Sequence, residues 1–256
     1  MHIGIFATAD EASREGARII QDLFAHNASA TLGVATGSTP DLLYAALREA
    51  HAAGEFDLSG AKAFALDEYV GLDPEHPESY RNVLRRNLVG EDKTGLTEEG
   101  LNTPDAQNPD PQAAAAEYDA KIGAAGVDLQ ILGIGADGHI GFNEPGGSLV
   151  SRTHVEALAP QTIKDNARFF DGDEAAVPTR CITQGLGTIM EAKKLVLFAF
   201  GANKADAVRE LCEGPISAFW PATIIQMHPD VTVLLDEAAA AQLKLTDLYR
   251  ARWEMI

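Results

Sequence analysis

Six short apolar runs separated by helix-length patterns constrain this chain more than any other feature. They span His2 to Ala7, Ala30 to Ala35, Ala61 to Leu66, Val127 to Leu132, Leu195 to Phe200 and Val231 to Leu235. Runs of strand length that alternate with amphipathic segments read as βαβ units. Because these runs are nearly continuous in apolar character, they predict strands covered on both faces. The expected fold is α/β: an open, mostly parallel sheet with helices on both faces. Thr8 and Glu11 have capping-box spacing, and the helix that follows places Ile19, Ile20, Leu23 and Phe24 on one side.

A chain of 256 residues with 46% hydrophobic content can bury a sizeable core, so a single domain over residues 1–256 is expected. Two stretches interrupt the alternation. Gly90 to Asp110 is rich in Gly, Asn, Pro and acidic residues and reads as a long surface connection. Gly146 to Pro178 is irregular, carries Arg152, Lys164 and Arg168, and reads as a candidate lid over residues 146–178.

The formal charge of −18 repels nucleic acid and anionic lipid, whose binding rests on Lys and Arg neutralising phosphates. A small anionic ligand stays open if a few basic groups and backbone amides gather locally. Cys181 and Cys212 lie far apart without CxxC spacing, which argues against a disulfide framework or a zinc site and fits a reducing cytoplasm. No secretory signal is expected, and no apolar stretch reaches membrane-spanning length.

The chemistry concentrates in loops after the predicted strands, where open α/β sheets bind ligands. Gly133 to Pro145 packs four glycines, Asp137, His139 and Glu144 into thirteen residues. Glycines let the backbone approach a ligand, and the three titratable groups can move protons near neutral pH if their environments separate them. The same letters fit a dinucleotide fingerprint, but no helix opens at the third glycine. Asp137, His139 and Glu144 could also ligate a metal, although no second His or Cys cluster completes such a site.

After the second run comes Thr36-Gly37-Ser38-Thr39-Pro40, where Thr39 suits an N-cap and Pro40 the first helical position. Exposed amides at Gly37, Ser38 and Thr39 would make an anion cradle, or merely a capped helix start. Asp67-Glu68-Tyr69 follows the third run; side chains alternate there, so one carboxylate can face a pocket while its neighbour supports it. A solvated acidic pair is the plainer alternative. Lys204 opens a helix running to about Glu213 and opposes its dipole unless an anion sits beside it. Arg168 is a second candidate cation, or an ordinary surface arginine.

Taken together, these loops closely resemble the glucosamine-6-phosphate deaminase family. The matching stretches are Thr36 to Pro40, Leu66 to Leu72 with His76 to Tyr80, Gly133 to Pro145, Ser151 to Thr153, Asn166 to Asp171 and Gly185 to Thr188. The resemblance implies a Rossmann-like sheet of the deaminase/6-phosphogluconolactonase type. It also implies conversion of glucosamine 6-phosphate and water to fructose 6-phosphate and ammonium, without metal or organic cofactor. Under it, His139 opens the sugar ring, Asp137 and Glu144 orient His139, and Asp67 carries the proton from C2 to C1. Gly37, Ser38, Thr39, Arg168 and Lys204 would hold the phosphate, with Glu68 also placed among the substrate-contacting residues. Hydrolysis of 6-phosphogluconolactone, isomerisation of galactosamine 6-phosphate and noncatalytic sugar-phosphate sensing are the alternatives. The partner is a small sugar phosphate, and a homo-oligomer is left open. Some family members are hexamers activated by N-acetylglucosamine 6-phosphate through basic residues just after the position of Thr153. Here that segment is His154-Val155-Glu156, and Glu156 would repel a phosphate.

Overall fold

The computed structural model describes all 256 residues. The chain opens with β1 (His2–Phe6), α1 (Ala9–His26), β2 (Thr31–Val34), α2 (Ser38–Ala52), β3 (Lys62–Ala65), β4 (Asp67–Tyr69) and α3 (Tyr80–Leu88). It continues through β5 (Leu101–Asn102), α4 (Pro111–Ala125), β6 (Leu129–Leu132), β7 (His154–Ala157), α5 (Pro160–Asn166) and β8 (Arg180–Thr183). It closes with α6 (Leu186–Ile189), β9 (Leu195–Ala199), α7 (Ala205–Glu213), β10 (Val231–Asp236) and α8 (Thr246–Trp253).

All six predicted strands form, each within about a residue or two of its apolar run. They join β5 in a seven-stranded sheet of order β1-β10-β9-β6-β2-β3-β5, parallel throughout. Strands β2, β6 and β9 are buried at every position, as continuous apolar character requires. A Cβ on Gly33 in β2 would meet the amide end of the Gln130 side chain on the adjacent strand, so any larger residue there requires that side chain to move. Ahead of α1, the Thr8 hydroxyl accepts from Glu11 N (3.1 Å), and Glu11 reaches back to accept from Ala7 N (3.1 Å). Ile20 and Phe24 of this helix are buried in the core.

The connections depart from the sequence expectation. Residues 90–110 are not solely a surface loop: Leu96 and Leu101 are buried, and β5 pairs with β3 through Ala63 and Phe64. Nor is 146–178 irregular throughout, since it contains β7 and α5. Strand β7 belongs to a second, antiparallel sheet of order β4-β8-β7 that no apolar run announced. Its strands mix Asp67, Glu68, His154, Glu156 and Arg180 with apolar residues, so no continuous apolar run marks them in the sequence. No helix is long and apolar enough to cross a membrane.

Two consequences position a site. Going along the chain, β2 leads to β3 and β5 on one side while β6 leads to β9 and β10 on the other, so the strand order reverses between β2 and β6. The loops after β9, β6, β2 and β3 therefore emerge from four neighbouring strands at one rim. Immediately after β3 the chain turns at Leu66 into β4, which sets Asp67 opposite Thr183 of β8 at that same rim.

Candidate active site

A hollow of about 1020 Å³ lies at this rim, lined among others by Gly37, Ser38, Asp67, His139, Arg168 and Lys204. Loops as far apart in sequence as those of Gly37 and Lys204 thus share one cavity. Among the groups that line it, Asp67 is only 5% exposed. Burial, reinforced by the charge of Glu68 and opposed by His139, pushes its carboxyl up to about 8.

Glu68 points the other way and does not line the hollow. It accepts from the backbone N–H groups of Tyr69 (3.0 Å), Tyr80 (2.9 Å) and Arg81 (2.9 Å), tying β4 to the first turn of α3. The expectation that Glu68 contacts substrate is therefore corrected: alternation along β4 leaves it a supporting role. Burial raises its carboxyl, and the three donors partly offset that.

His139 faces the hollow with two carboxylates behind it. Its Nδ1 lies 2.8 Å from Asp137 Oδ1 and 3.7 Å from Glu144 Oε2. Burial alone would lower the imidazole; the two carboxylates outweigh it and raise the ring to about 9. The same pairing, against the effect of burial, holds Asp137 below the usual carboxylate range. Glu144 is aimed by α5, whose first turn supplies Ala159 N (3.1 Å) and Thr162 Oγ1 (2.7 Å) to Glu144 Oε1. Neither Asp137 nor Glu144 lines the hollow, so both act on a ligand through His139. The donor atoms of this trio lie within 4.8 Å of one another, a set chemically able to hold a divalent cation but engaged here in charge pairing with the imidazole.

The anion cradle differs from the sequence expectation by two residues. Helix α2 begins at Ser38, and Gly37 rather than Thr39 occupies the N-cap position. Gly37 takes φ of +102°, which only glycine adopts without strain, and no side chain caps the helix. The first-turn amides are thus left for a ligand. Around them, the Arg168 guanidinium reaches Ser38 Oγ at 3.4 Å and stacks over Phe169 at 4.7 Å. Lys204 sits at the start of α7, where burial and then the charge of Arg168 lower its ammonium pKa while Asp165 opposes the shift. Neither cation forms an ion pair, in a chain where acidic residues outnumber basic ones 38 to 20. An anion is the partner such a geometry lacks.

The comparisons with known proteins agree with this chemistry. A family model described as glucosamine-6-phosphate isomerases/6-phosphogluconolactonase matches residues 6–234. The chain belongs to this family. A glucosamine-6-phosphate deaminase of Mycolicibacterium smegmatis is 53% identical over 232 residues, covering 90% of this chain and 88% of the relative. The deaminase of Pseudarthrobacter chlorophenolicus is 50% identical over 255 residues, covering 99% and 97%. A solved monomeric glucosamine-6-phosphate deaminase superposes with a TM-score of 0.91 at 37% identity, covering 95% of this chain and 100% of that one. The 6-phosphogluconolactonase of Trypanosoma cruzi has the same fold, with a TM-score of 0.77 and 20% identity.

Residues that sequence reasoning passed over also line the hollow. Tyr69, Tyr80 and Phe142 form an aromatic wall beside Asp67, with Tyr69 and Tyr80 ring centroids 4.6 Å apart. Thr162 and Asn166 come from α5, a helix whose seven residues carry no readable amphipathic period. Tyr69, Tyr80, Phe142 and Asn166 fall inside the stretches that resemble the family, whereas Thr162 falls outside them all.

Proposed function

We infer that this protein is a glucosamine-6-phosphate deaminase, converting glucosamine 6-phosphate and water to fructose 6-phosphate and ammonium. The observation that carries the reading is a buried carboxylate and a carboxylate-backed imidazole facing one hollow beside an unpaired cationic cradle, in a chain half identical to deaminases. The substrate phosphate lies on the first-turn amides of α2 between Arg168 and Lys204. His139, protonated at neutral pH, donates to the ring oxygen and takes the proton of the anomeric hydroxyl, which opens the sugar. Asp67 removes the proton from C2 and delivers it to C1, leaving an iminium at C2. Water adds to that carbon, nitrogen leaves as ammonium, and the ketose remains.

The test is ammonia release from glucosamine 6-phosphate, with hydrolysis of 6-phosphogluconolactone measured in parallel. Ammonia and fructose 6-phosphate in equal amounts are expected from the first substrate and no turnover from the second. Hydrolysis without ammonia would overturn the reading.

The cradle makes its own prediction. Lys204→Ala removes one of two charges on the phosphate, so KM for glucosamine 6-phosphate is expected to rise roughly 10- to 100-fold with a smaller change in kcat. Wild-type KM in this variant would take Lys204 out of the binding role.

Regulation follows from the segment after Thr153. Glu156 is occupied with His154 Nε2 (3.2 Å), and Arg152 is clamped by Asp119 and Glu191, both at 3.0 Å from its Nη2. This surface offers an incoming phosphate a carboxylate rather than a free cation. No activation by N-acetylglucosamine 6-phosphate is expected at subsaturating substrate, and a clear rise in rate would contradict this. The chain works on a soluble sugar phosphate, in keeping with a cytoplasmic enzyme. Activity as a monomer is consistent with a site assembled from its own loops.

A further inference from the structure

A hexose phosphate presents its reacting carbon and its phosphate at a fixed separation, so an enzyme that grips one end and deprotonates the other must hold both receptors at a matching distance. In this protein the two receptors belong to different parts of the fold. Asp67 stands on β4 of the small sheet, and Arg168 stands on the short 3-10 turn Ala167–Phe169 that follows α5. They are a hundred residues apart in sequence.

One side-chain hydrogen bond joins those parts. Asn166, the last residue of α5, donates from Nδ2 to Tyr69 Oη at 2.9 Å. Tyr69 lies two positions beyond Asp67 on the same face of β4, and both line the hollow. Its ring is fixed on several sides, with centroids 4.6 Å from Tyr80, 6.0 Å from Phe142 and 5.9 Å from Phe170. Its hydroxyl also accepts from Tyr80 Oη at 3.0 Å. Tyr69 is 1% exposed, so this is an anchor that does not move independently of the strand. Arg168 follows Asn166 by two residues and leans on Ser38 of the phosphate cradle. The other end of α5 is pinned to Glu144 through Ala159 and Thr162. Helix α5 is thereby held at its start to the imidazole's carboxylate and at its end to the strand of the base.

We propose that Asn166 is a positioning residue which, through Tyr69, sets the distance between the base Asp67 and the phosphate-binding Arg168. The inference rests on the deaminase reading for the identity of the substrate. Inorganic phosphate occupies only one end of the site and has no second end to be placed. Breaking the tie therefore harms the sugar phosphate far more than it harms phosphate itself. A residue that merely shaped the phosphate pocket would affect both equally.

The experiment compares Asn166→Ala, Tyr69→Phe and the double variant with wild type. Readouts are kcat/KM for glucosamine 6-phosphate, solvent exchange of its C2 proton, and inhibition by inorganic phosphate. Tyr69→Phe keeps the ring packing and removes only the hydroxyl, which guards against a folding defect in Asn166→Ala. Each single variant is expected to lower kcat/KM and C2 exchange by roughly 10- to 100-fold, the effect of misplacing a substrate by about an ångström. The phosphate inhibition constant is expected to move less than about threefold, and the double variant to be no worse than Tyr69→Phe alone, because Asn166→Ala removes a bond that Tyr69→Phe already lacks, whereas Tyr69→Phe also gives up the Tyr80 hydroxyl. Equal losses for sugar phosphate and phosphate, additive effects, or unchanged kcat/KM would each overturn the tie alone. A wild-type enzyme that releases no ammonia would overturn the deaminase reading and the tie together.

Discussion

Asp67→Asn is expected to lower kcat by roughly 10²–10⁴ and, at the same time, to make the folded chain harder to unfold at neutral and alkaline pH. Under the proposed mechanism the catalytic loss follows from removing the group that carries the C2 proton; the amide cannot accept it, so exchange of that proton with solvent should vanish as well. The stability gain follows from burial. The folded carboxyl is pushed up to about 8 by burial, then by Glu68, from an ordinary value near 3.8. A group whose folded pKa is raised favours the fold fully below its unfolded pKa, and that contribution is lost as pH rises through the folded pKa. Ionised Asp67 therefore costs on the order of a few kcal/mol at pH 8 and above, and asparagine avoids it. Melting at pH 8 to 9 should rise by roughly 5–10 °C in the variant, with the gain shrinking toward pH 4. A variant that melts with wild type at every pH would show that Asp67 carries no such strain.

His139→Gln should move stability in the opposite direction. The two carboxylates raise the imidazole to about 9 against the effect of burial, so its stabilising contribution is complete below pH 6.5 and is lost as pH rises through 9. Removing the ring leaves Asp137 and Glu144 facing each other without a cation. A fall in Tm of roughly 3–8 °C at pH 6 to 7 is expected, disappearing near pH 10. Ring opening would lose its proton donor, and kcat/KM should fall roughly 10²-fold or more. Wild-type kcat/KM should rise as Asp67 ionises near pH 8 and fall as His139 loses its proton near pH 9. A broad plateau from pH 5 to 8 would exclude the pair from these roles.

The two opposed stability effects illustrate how a site is built against the fold that carries it. Asp67 is a carboxylate placed where its charge is disfavoured, and that cost keeps it a strong enough base near neutral pH. His139 is a cation placed where its charge is favoured. Burial disfavours charge on both; neighbouring carboxylates add to that for the anion Asp67 and outweigh it for the cation His139.

The seven-stranded sheet was legible in the sequence because fully covered strands must be apolar at consecutive positions, and β2, β6 and β9 are. Loop chemistry was legible for a related reason: Gly37, Asp67, His139 and Lys204 lie in the loops that follow such runs. The small sheet was not legible. Strands β4, β7 and β8 mix Asp67, Glu68, His154, Glu156 and Arg180 with apolar residues, and their order appears only when β8 pairs with both neighbours. The start of α2 was misjudged because Thr39-Pro40 has good capping chemistry, whereas the chain uses the positive φ of Gly37 and leaves the amides bare. The inward or outward aim of Glu68 likewise depends on α3 supplying backbone donors, a contact that local sequence does not encode.

Strand β1 pairs only with β10 and lies at the edge of the large sheet. During synthesis on a ribosome, β1 therefore waits without a strand partner until Val231–Asp236 has been made. The nascent chain carries an apolar, hydrogen-bond-hungry segment through all the synthesis that separates His2–Phe6 from Val231–Asp236. Any premature stop before that point strands it permanently, so truncated products should be cleared or aggregate rather than persist as smaller enzymes.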